Sequence, residues 1–307
     1  MMQASGLAKR IEFIGSTKPV IGISGGLDST LALLVSVKAM RLLNRPNSDI
    51  FAITMPGFGT TSRTYQNAVK LCELLGVTFE EIDIKDAVMQ HFEDIGHDPH
   101  IHDVVYENAQ ARERTQILFD MANKVGGIVV GTGDLSEIAL GFATYGGDHL
   151  SMYGVNASIP KTLVRYIIDF VARDEDPVIA EILEDIIETP VSPELLPEKD
   201  DKIVQKTEEI VGPYELHDFF LYHFVKYGAH PVKILALARI AFKDKYDKEM
   251  IKKWLITFLK RFFANQFKRN AMPDSVKVGS IALSPRGDWR MPSDAEVAEW
   301  LRELVKS

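Results

Sequence analysis

The stretch VIGISGGLDST, residues 20–30, decides the fold. It begins as a compact apolar, β-branched run, turns on Gly25 and Gly26, and continues through Asp28, Ser29 and Thr30 into a helical pattern. A strand that ends in a glycine turn and opens a helix offers backbone N–H groups and a helix dipole to an anion. Glycines without Cβ atoms let that backbone come close to a phosphate. Ser24, Ser29 and Thr30 add hydroxyls. Asp28 fits such a place when a Mg²⁺ stands between acid and phosphate. The plainer alternative is a tight strand–helix turn with Asp28 or Ser29 capping the helix. The string is neither a Walker A loop, since the lysine is missing, nor GxGxxG.

Outward from this motif, strand-like and helix-like segments alternate. Strands are expected at 18–24, 49–56, 77–84 and 128–133, with helices at 29–45, 61–76, 85–96 and 104–127 between them. Alternation of this kind predicts an α/β fold with a parallel sheet covered on both faces. Ligands in such sheets bind beyond the carboxyl ends of the strands, where the SGG turn and GTGDLSE (131–137) both fall. From about residue 160 the pattern is helical, with helices expected at 160–173, 176–188, 201–211, 214–226, 231–241 and 247–268. A Pro-rich linker covers 188–201, and 270–294 reads as a loop-like tail carrying Lys277, Arg286 and Arg290.

The bulk composition agrees with an enzyme-sized globular chain: 307 residues, 46% hydrophobic and 25% charged. A net charge of −8 argues against nucleic acid as the main partner. No run of about 18 apolar residues predicts a membrane span, and MMQASGLAKRIEF lacks a signal peptide's apolar core. The single cysteine, Cys72, excludes an intrachain disulfide and a paired-cysteine site. A cytoplasmic location is expected.

SGGLDST matches the SGGxDS signature of the ATP pyrophosphatase, or PP-loop, families, which resemble one another in adenylating a substrate oxygen with release of pyrophosphate. Residues 131–168, 107–118, 211–228 and 277–294 closely resemble the synthetase part of glutamine-dependent NAD⁺ synthetases, so the resemblance spans nearly the whole chain. It implies an adenine-nucleotide alpha-hydrolase-like (Rossmann-like) fold over about 1–160, a helical part over about 160–270, and a tail, 271–307, that contributes to the substrate site. The implied reaction joins ATP, deamido-NAD⁺ and ammonia, with Mg²⁺, in a homodimer. The alternative is another PP-loop adenylating enzyme, such as a tRNA-modifying one, the latter disfavoured by the lone cysteine and the acidic charge.

The resemblance also implies roles. Ser24, Gly25, Gly26, Asp28, Ser29, Thr30, Thr132, Lys161 and Ser192 match ATP-contacting positions. Asn108, Arg112, Glu137, Phe142, Ala143, Thr144, Tyr145 and Lys277 match positions that contact deamido-NAD⁺. Asp28 and Glu137 match metal ligands, and Asp28, Lys161 and Glu137 are the catalytic candidates. Asp134 reads as an unpaired helix cap and is left outside this set. His91, His97, His100 and His102 have a spacing a metal could use, yet a solvated loop is the simpler reading. The family's N-terminal glutaminase domain, with its catalytic cysteine, has no counterpart in these residues. The chain alone is therefore expected not to hydrolyse glutamine, whether it is a free-standing ammonia-using enzyme, an excised domain, or one fed by a separate glutaminase.

Overall fold

Side chains on successive strand residues point to opposite faces, and the apolar runs of this chain use both. In the computed structural model, which describes residues 1–60, 62–189, 208 and 211–306, Ile21, Ala52, Ile128 and Val130 enter the core on one face. Val20, Ile53 and Val129 enter the core on the other. The strands are β1 (Lys18–Gly22), β2 (Phe51–Thr54), β3 (Thr78–Glu81), β4 (Gly127–Gly131) and the short β5 (Tyr153–Gly154). They run parallel in the order β3-β2-β1-β4-β5. Such double burial suits a parallel sheet flanked by helices.

Helices α1 (Met2–Ile14), α2 (Leu27–Leu42), α3 (Ser62–Leu75), α7 (Lys161–Ala172) and α8 (Pro177–Glu188) supply the first core. Helices α4 (Lys85–Ile95) and α5 (Val104–Val125) cover the opposite face through Phe92, Tyr106 and Met121. The remaining helices are α6 (Leu135–Leu140), α9 (Tyr214–Tyr227), α10 (Pro231–Ala241), α11 (Lys248–Ala264), α12 (Gln266–Asn270) and α13 (Ala298–Lys306). All of these but α12 share a third core built on Phe220, Phe258 and Phe262, into which the tail inserts Leu283, Trp289 and Leu304. Leu135, Ala139 and Leu140 of α6 belong to this core, so α6 joins the sheet edge to the helical part.

The expected parallel α/β architecture is present, with strands a few residues shorter than their apolar runs. Among the described residues, α1, the two-residue β5, α13 and a single 3₁₀ turn at Asn47–Asp49 went unread in the sequence. The helix expected at 201–211 lies largely outside the described residues. Cys72 is fully buried, and burial pushes its thiol up to about 12, consistent with a small apolar role. Among the described residues no helix is long and apolar enough to cross a membrane.

Since β1 leads to β2 on one side and pairs with β4 on the other, the strand order reverses between β1 and β4. That reversal opens a crevice at their carboxyl ends. In the turn after β1, Gly25 has φ +80°, and a Cβ added there would stand 2.0 Å from the Thr64 carbonyl oxygen. Gly26, the N-cap of α2, has φ −87° and would bring a Cβ only to ordinary contact, 3.4 Å from Ser24 Oγ. The fold thus requires one glycine of the pair. In urea unfolding, Gly25→Ala is expected to cost more than about 2 kcal/mol and Gly26→Ala less than about 1 kcal/mol; equal costs would contradict this reading of the turn.

Candidate active site

Two loops meet at the crevice, and a lysine from a third element fastens them. Lys161 is the first residue of α7, after the N-cap Pro160. A lysine is unfavourable at a helix N-terminus, and here its ammonium is compensated by carboxylates. Nζ lies 2.5 Å from Asp28 Oδ2, 2.9 Å from Asp134 Oδ2 and 2.8 Å from Glu137 Oε1. The side chains of Lys161 and Asp134 are 4% and 0% exposed. Asp28 comes from the first turn of α2, directly after the glycine turn; Asp134 is the N-cap of α6 and Glu137 lies in its first turn.

Local rules place these acids. Asp134 caps α6 by accepting from the Glu137 N–H at 2.8 Å, and Glu137 returns the bond to the Asp134 N–H. This capping box turns both carboxylates toward one point. Asp134 is therefore a cap, as the sequence predicts, but it is not unpaired: it is a full member of the charged cluster, which corrects the expectation that set it aside. The D-x-x-E spacing was the available signal. Asn156, fully buried, donates from Nδ2 to the carbonyls of Asp28 (2.9 Å) and Thr132 (3.0 Å), tying the two loops together. Gln3 of α1 donates in turn to Asn156 Oδ1. Asp218 accepts from Ser136 and from the Thr162 N–H and hydroxyl, while Ser136 Oγ accepts from the Lys161 N–H at 2.8 Å. The Tyr214 ring lies 5.5 Å from Lys161 Nζ. Asn156, Asp218 and Tyr214 carry no local sequence pattern that marks them.

The electrostatics follow from three carboxylates facing one ammonium. Burial works to lower the Lys161 ammonium, but Asp134, Asp28 and Glu137 outweigh it and hold it well above the usual lysine range. Burial, opposed by Lys161 and reinforced by Asp28, raises the Glu137 carboxyl to about 7. Asp134 is raised as well, first by burial and then by its acidic neighbours, against the pull of Lys161. Asp28 Oδ1 is buried with no hydrogen-bond partner among the described residues. Asp134 Oδ2 meets Lys161 as an ion pair without a directed hydrogen bond. The three acids offer oxygen atoms within 4.8 Å of one another. Three carboxyl groups face one ammonium, the donors are hard oxygens, and a buried oxygen is unpaired; this set fits a divalent cation of the Mg²⁺ or Mn²⁺ kind.

The remaining expected residues fall into three groups. Ser24, Gly25, Gly26 and Ser29 form the turn itself: Ser29 Oγ donates to the Gly26 carbonyl at 3.1 Å and lies 3.2 Å from Ser24 Oγ. Thr30 is fully buried beneath it. A second group gathers around residues 142–145. Thr144 Oγ1 donates to Asn108 Oδ1 at 2.8 Å, and Arg112 Nε donates to the Tyr145 carbonyl at 3.2 Å, so one face of α5 grips this segment. Phe142 lies under the Arg261 guanidinium, and Tyr145 stacks on His149. Ala143 is held through its carbonyl by Lys268. Lys277 stands apart: it is exposed and pairs with Asp288 at 2.5 Å, on a tail pinned beside it by Ser158, which accepts from the Val278 N–H and donates to the Val276 carbonyl. Ser192 lies outside the described residues. In the histidine group, His97 sits 3.6 Å from Asp103 and packs on Phe92, and His102 packs on Tyr106.

Known proteins resemble this chain over nearly its whole length. The profile of the family described as NAD synthase matches residues 2–269. The glutamine-dependent NAD(+) synthetase of Mycobacterium leprae is 44% identical over 330 aligned positions, covering 99% of this chain and 48% of that protein. That of Thermotoga maritima is 29% identical, with 94% and 46% covered. The chain spans about half the length of the curated relatives it matches. Among solved structures, a glutamine-dependent NAD(+) synthetase from Cytophaga hutchinsonii superposes with a TM-score of 0.80 at 18% identity, over 98% of this chain and 55% of that one. The NH3-dependent NAD synthetase from Campylobacter jejuni gives 0.59 at 20% identity, over 87% and 93%. These two likenesses speak for the fold.

The raised Glu137 carboxyl has a measurable consequence. Its ordinary value is 4.5 and its value in the folded chain about 7, so the native state binds this proton more tightly than the unfolded state. The stability contributed by that proton is complete below about 4.5 and is lost as pH rises through about 7. Without added metal or nucleotide, thermal unfolding should therefore shift downward from pH 5 to pH 8. Glu137→Gln should flatten that slope relative to the unsubstituted protein; parallel slopes would refute the assignment.

Proposed function

We propose, for a chain that belongs to the NAD synthase family, that it converts deamido-NAD⁺ to NAD⁺ by ATP-dependent amidation. The observation that carries the proposal is the meeting of the SGGLDST turn with Asp28, Asp134, Glu137 and Lys161 at the β1/β4 crevice. A carboxylate is a poor acyl donor. In the proposed reaction a deamido-NAD⁺ carboxylate oxygen attacks the α-phosphorus of ATP, the bond to the β-phosphate breaks, and pyrophosphate leaves. Ammonia then adds to the acyl carbon of the adenylate, loses a proton, and displaces AMP. No protein nucleophile is needed; the protein positions groups and neutralises phosphate charge.

The residues divide this work. The turn Ser24–Thr30 cradles the pyrophosphate, with Gly26 left open on the side where the fold needs no close approach. Thr132 and Ser192 contact ATP. Lys161 keeps its positive charge at neutral pH and supplies it to the phosphates. Asp28 and Glu137, joined by Asp134, would hold Mg²⁺, which supplies charge neutralisation at the phosphates when bound. Asn108, Arg112 and the segment Phe142–Tyr145 hold the nicotinate end, and Lys277 contacts the dinucleotide from the tail. The proposal includes the division into an α/β core (about 1–160), a helical part (about 160–270) and a tail (271–307), together with a homodimer and a cytoplasmic setting. Ammonia reaches the site free or from a glutaminase domain or subunit. The relatives' names support this reading and give the tRNA-modifying alternative nothing.

The test is turnover by the purified chain with ATP, Mg²⁺ and deamido-NAD⁺. NAD⁺ and AMP should form in equal amounts with ammonium chloride, and glutamine should not replace it. Asp28→Ala should lower turnover by more than about 10³-fold with an unchanged circular dichroism spectrum. No NAD⁺ from the unsubstituted chain with ammonium would overturn the proposal.

A further inference from the structure

Lys161 opens α7 directly after Pro160, whose side chain caps nothing. The first four N–H groups of an α-helix have no partner within the helix. Here the Leu163 and Val164 N–H groups close back on the Pro160 carbonyl, at 2.8 and 3.1 Å. The Lys161 and Thr162 N–H groups are met instead by side chains from other helices. The Thr162 N–H and hydroxyl both donate to Asp218 Oδ2, at 3.1 and 2.7 Å. The Lys161 N–H donates to Ser136 Oγ at 2.8 Å, and the Ser136 hydroxyl donates to Asp218 Oδ1. One carboxylate therefore holds both groups, one directly and one through a serine. An acid in this place also favours the helix dipole that the Lys161 ammonium opposes.

Ser136 stands in the first turn of α6, between the cap Asp134 and Glu137. The two oxygens of Asp218 thus join the helix start that carries two of the acids to the helix start that carries the ammonium. The backbone makes one further link, from the Leu135 N–H to the Ile159 carbonyl at 2.9 Å, so the two helices stay attached when Asp218 is changed. Asp218 itself belongs to α9 in the helical part. Tyr214, four residues earlier and on the same helix face, lays its ring 5.5 Å from Lys161 Nζ. The side of α9 that meets the cluster is therefore fixed twice.

We infer that Asp218 is a positioning residue for Lys161: through Thr162 and Ser136 it fixes the first turns of α7 and α6 against each other, and so sets where the ammonium stands among its carboxylates. The helical part, packed on its own aromatic core, thereby reaches into the crevice of the α/β sheet without touching substrate. The geometry rests on the hydrogen bonds, and the consequence for turnover rests on the proposed function, which gives the Lys161 charge to the phosphates.

The test uses Asp218→Asn, which keeps the size but turns an amide donor toward one of the groups that now donate. In steady-state kinetics it should lower kcat by about tenfold or more and leave KM for deamido-NAD⁺ within about twofold. The doubly substituted Ser136→Ala, Thr162→Val chain should show a similar loss, and Asp218→Asn added to it should cost less than about twofold more, because the same bonds are already gone. A separate readout needs no turnover: in the free protein, amide hydrogen exchange at Lys161 and Thr162 should accelerate by about tenfold or more in Asp218→Asn while strand 127–131 is unchanged. If Asp218→Asn does not fold, Ser136→Ala alone carries both measurements, with exchange faster at 161 and unchanged at 162. A kcat within about twofold of the unsubstituted chain, a loss that multiplies in full on the double background, or unchanged exchange at 161 would overturn the inference. A chain inactive even without substitution would overturn the proposed function instead, and the exchange measurement would still decide whether Asp218 holds the start of α7.

Discussion

One ammonium among three carboxylates organises this molecule. Lys161 reaches beyond the ends of two neighbouring strands at once, and its partners come from the first turn of α2 and from the cap and first turn of α6. Removing a partner from such a buried group leaves uncompensated charge, an arrangement whose loss typically costs several kcal/mol. The surrounding structure is arranged accordingly. Asn156 holds the backbones of the two loops, Asp218 fixes the start of α7, and Arg261, Lys268 and Arg269 grip the far end of α6. The site is set by three separate layers of the fold, and no single loop could supply it.

The arrangement also explains why the crevice suits phosphoryl chemistry. The carboxylates outnumber the ammonium, so the cluster presents a cation-seeking centre beside a turn whose glycines and hydroxyls suit an anion. Positive and negative recognition lie side by side, as a nucleotide with its metal requires. The strand order places both at the reversal between β1 and β4, where the crevice is a consequence of topology.

Much of this was legible because it is local. The apolar runs gave the parallel sheet; the SGG turn and the helix cap at Asp134 each declare themselves within a few residues. What the chain hides is long-range. Asp134 reads as a cap because capping depends on neighbours three residues away, whereas its pairing with Lys161 depends on α7 packing against α6. Asn156 has no pattern around it, and its partners Asp28 and Gln3 are 128 and 153 residues distant. Lys268 looks like one more surface lysine on a basic stretch until the end of α6 is brought against it. The two-residue β5 is too brief for periodicity to show.

The most direct test of the account follows the oxygen that changes hands. Deamido-NAD⁺ labelled with ¹⁸O in its carboxylate would be turned over with ATP, Mg²⁺ and ammonium, and the products examined by mass spectrometry. Attack of the substrate carboxylate on the α-phosphorus predicts that one ¹⁸O atom appears in the phosphate of AMP. AMP free of label, or label in inorganic phosphate accompanied by ADP, would contradict adenylation at this site.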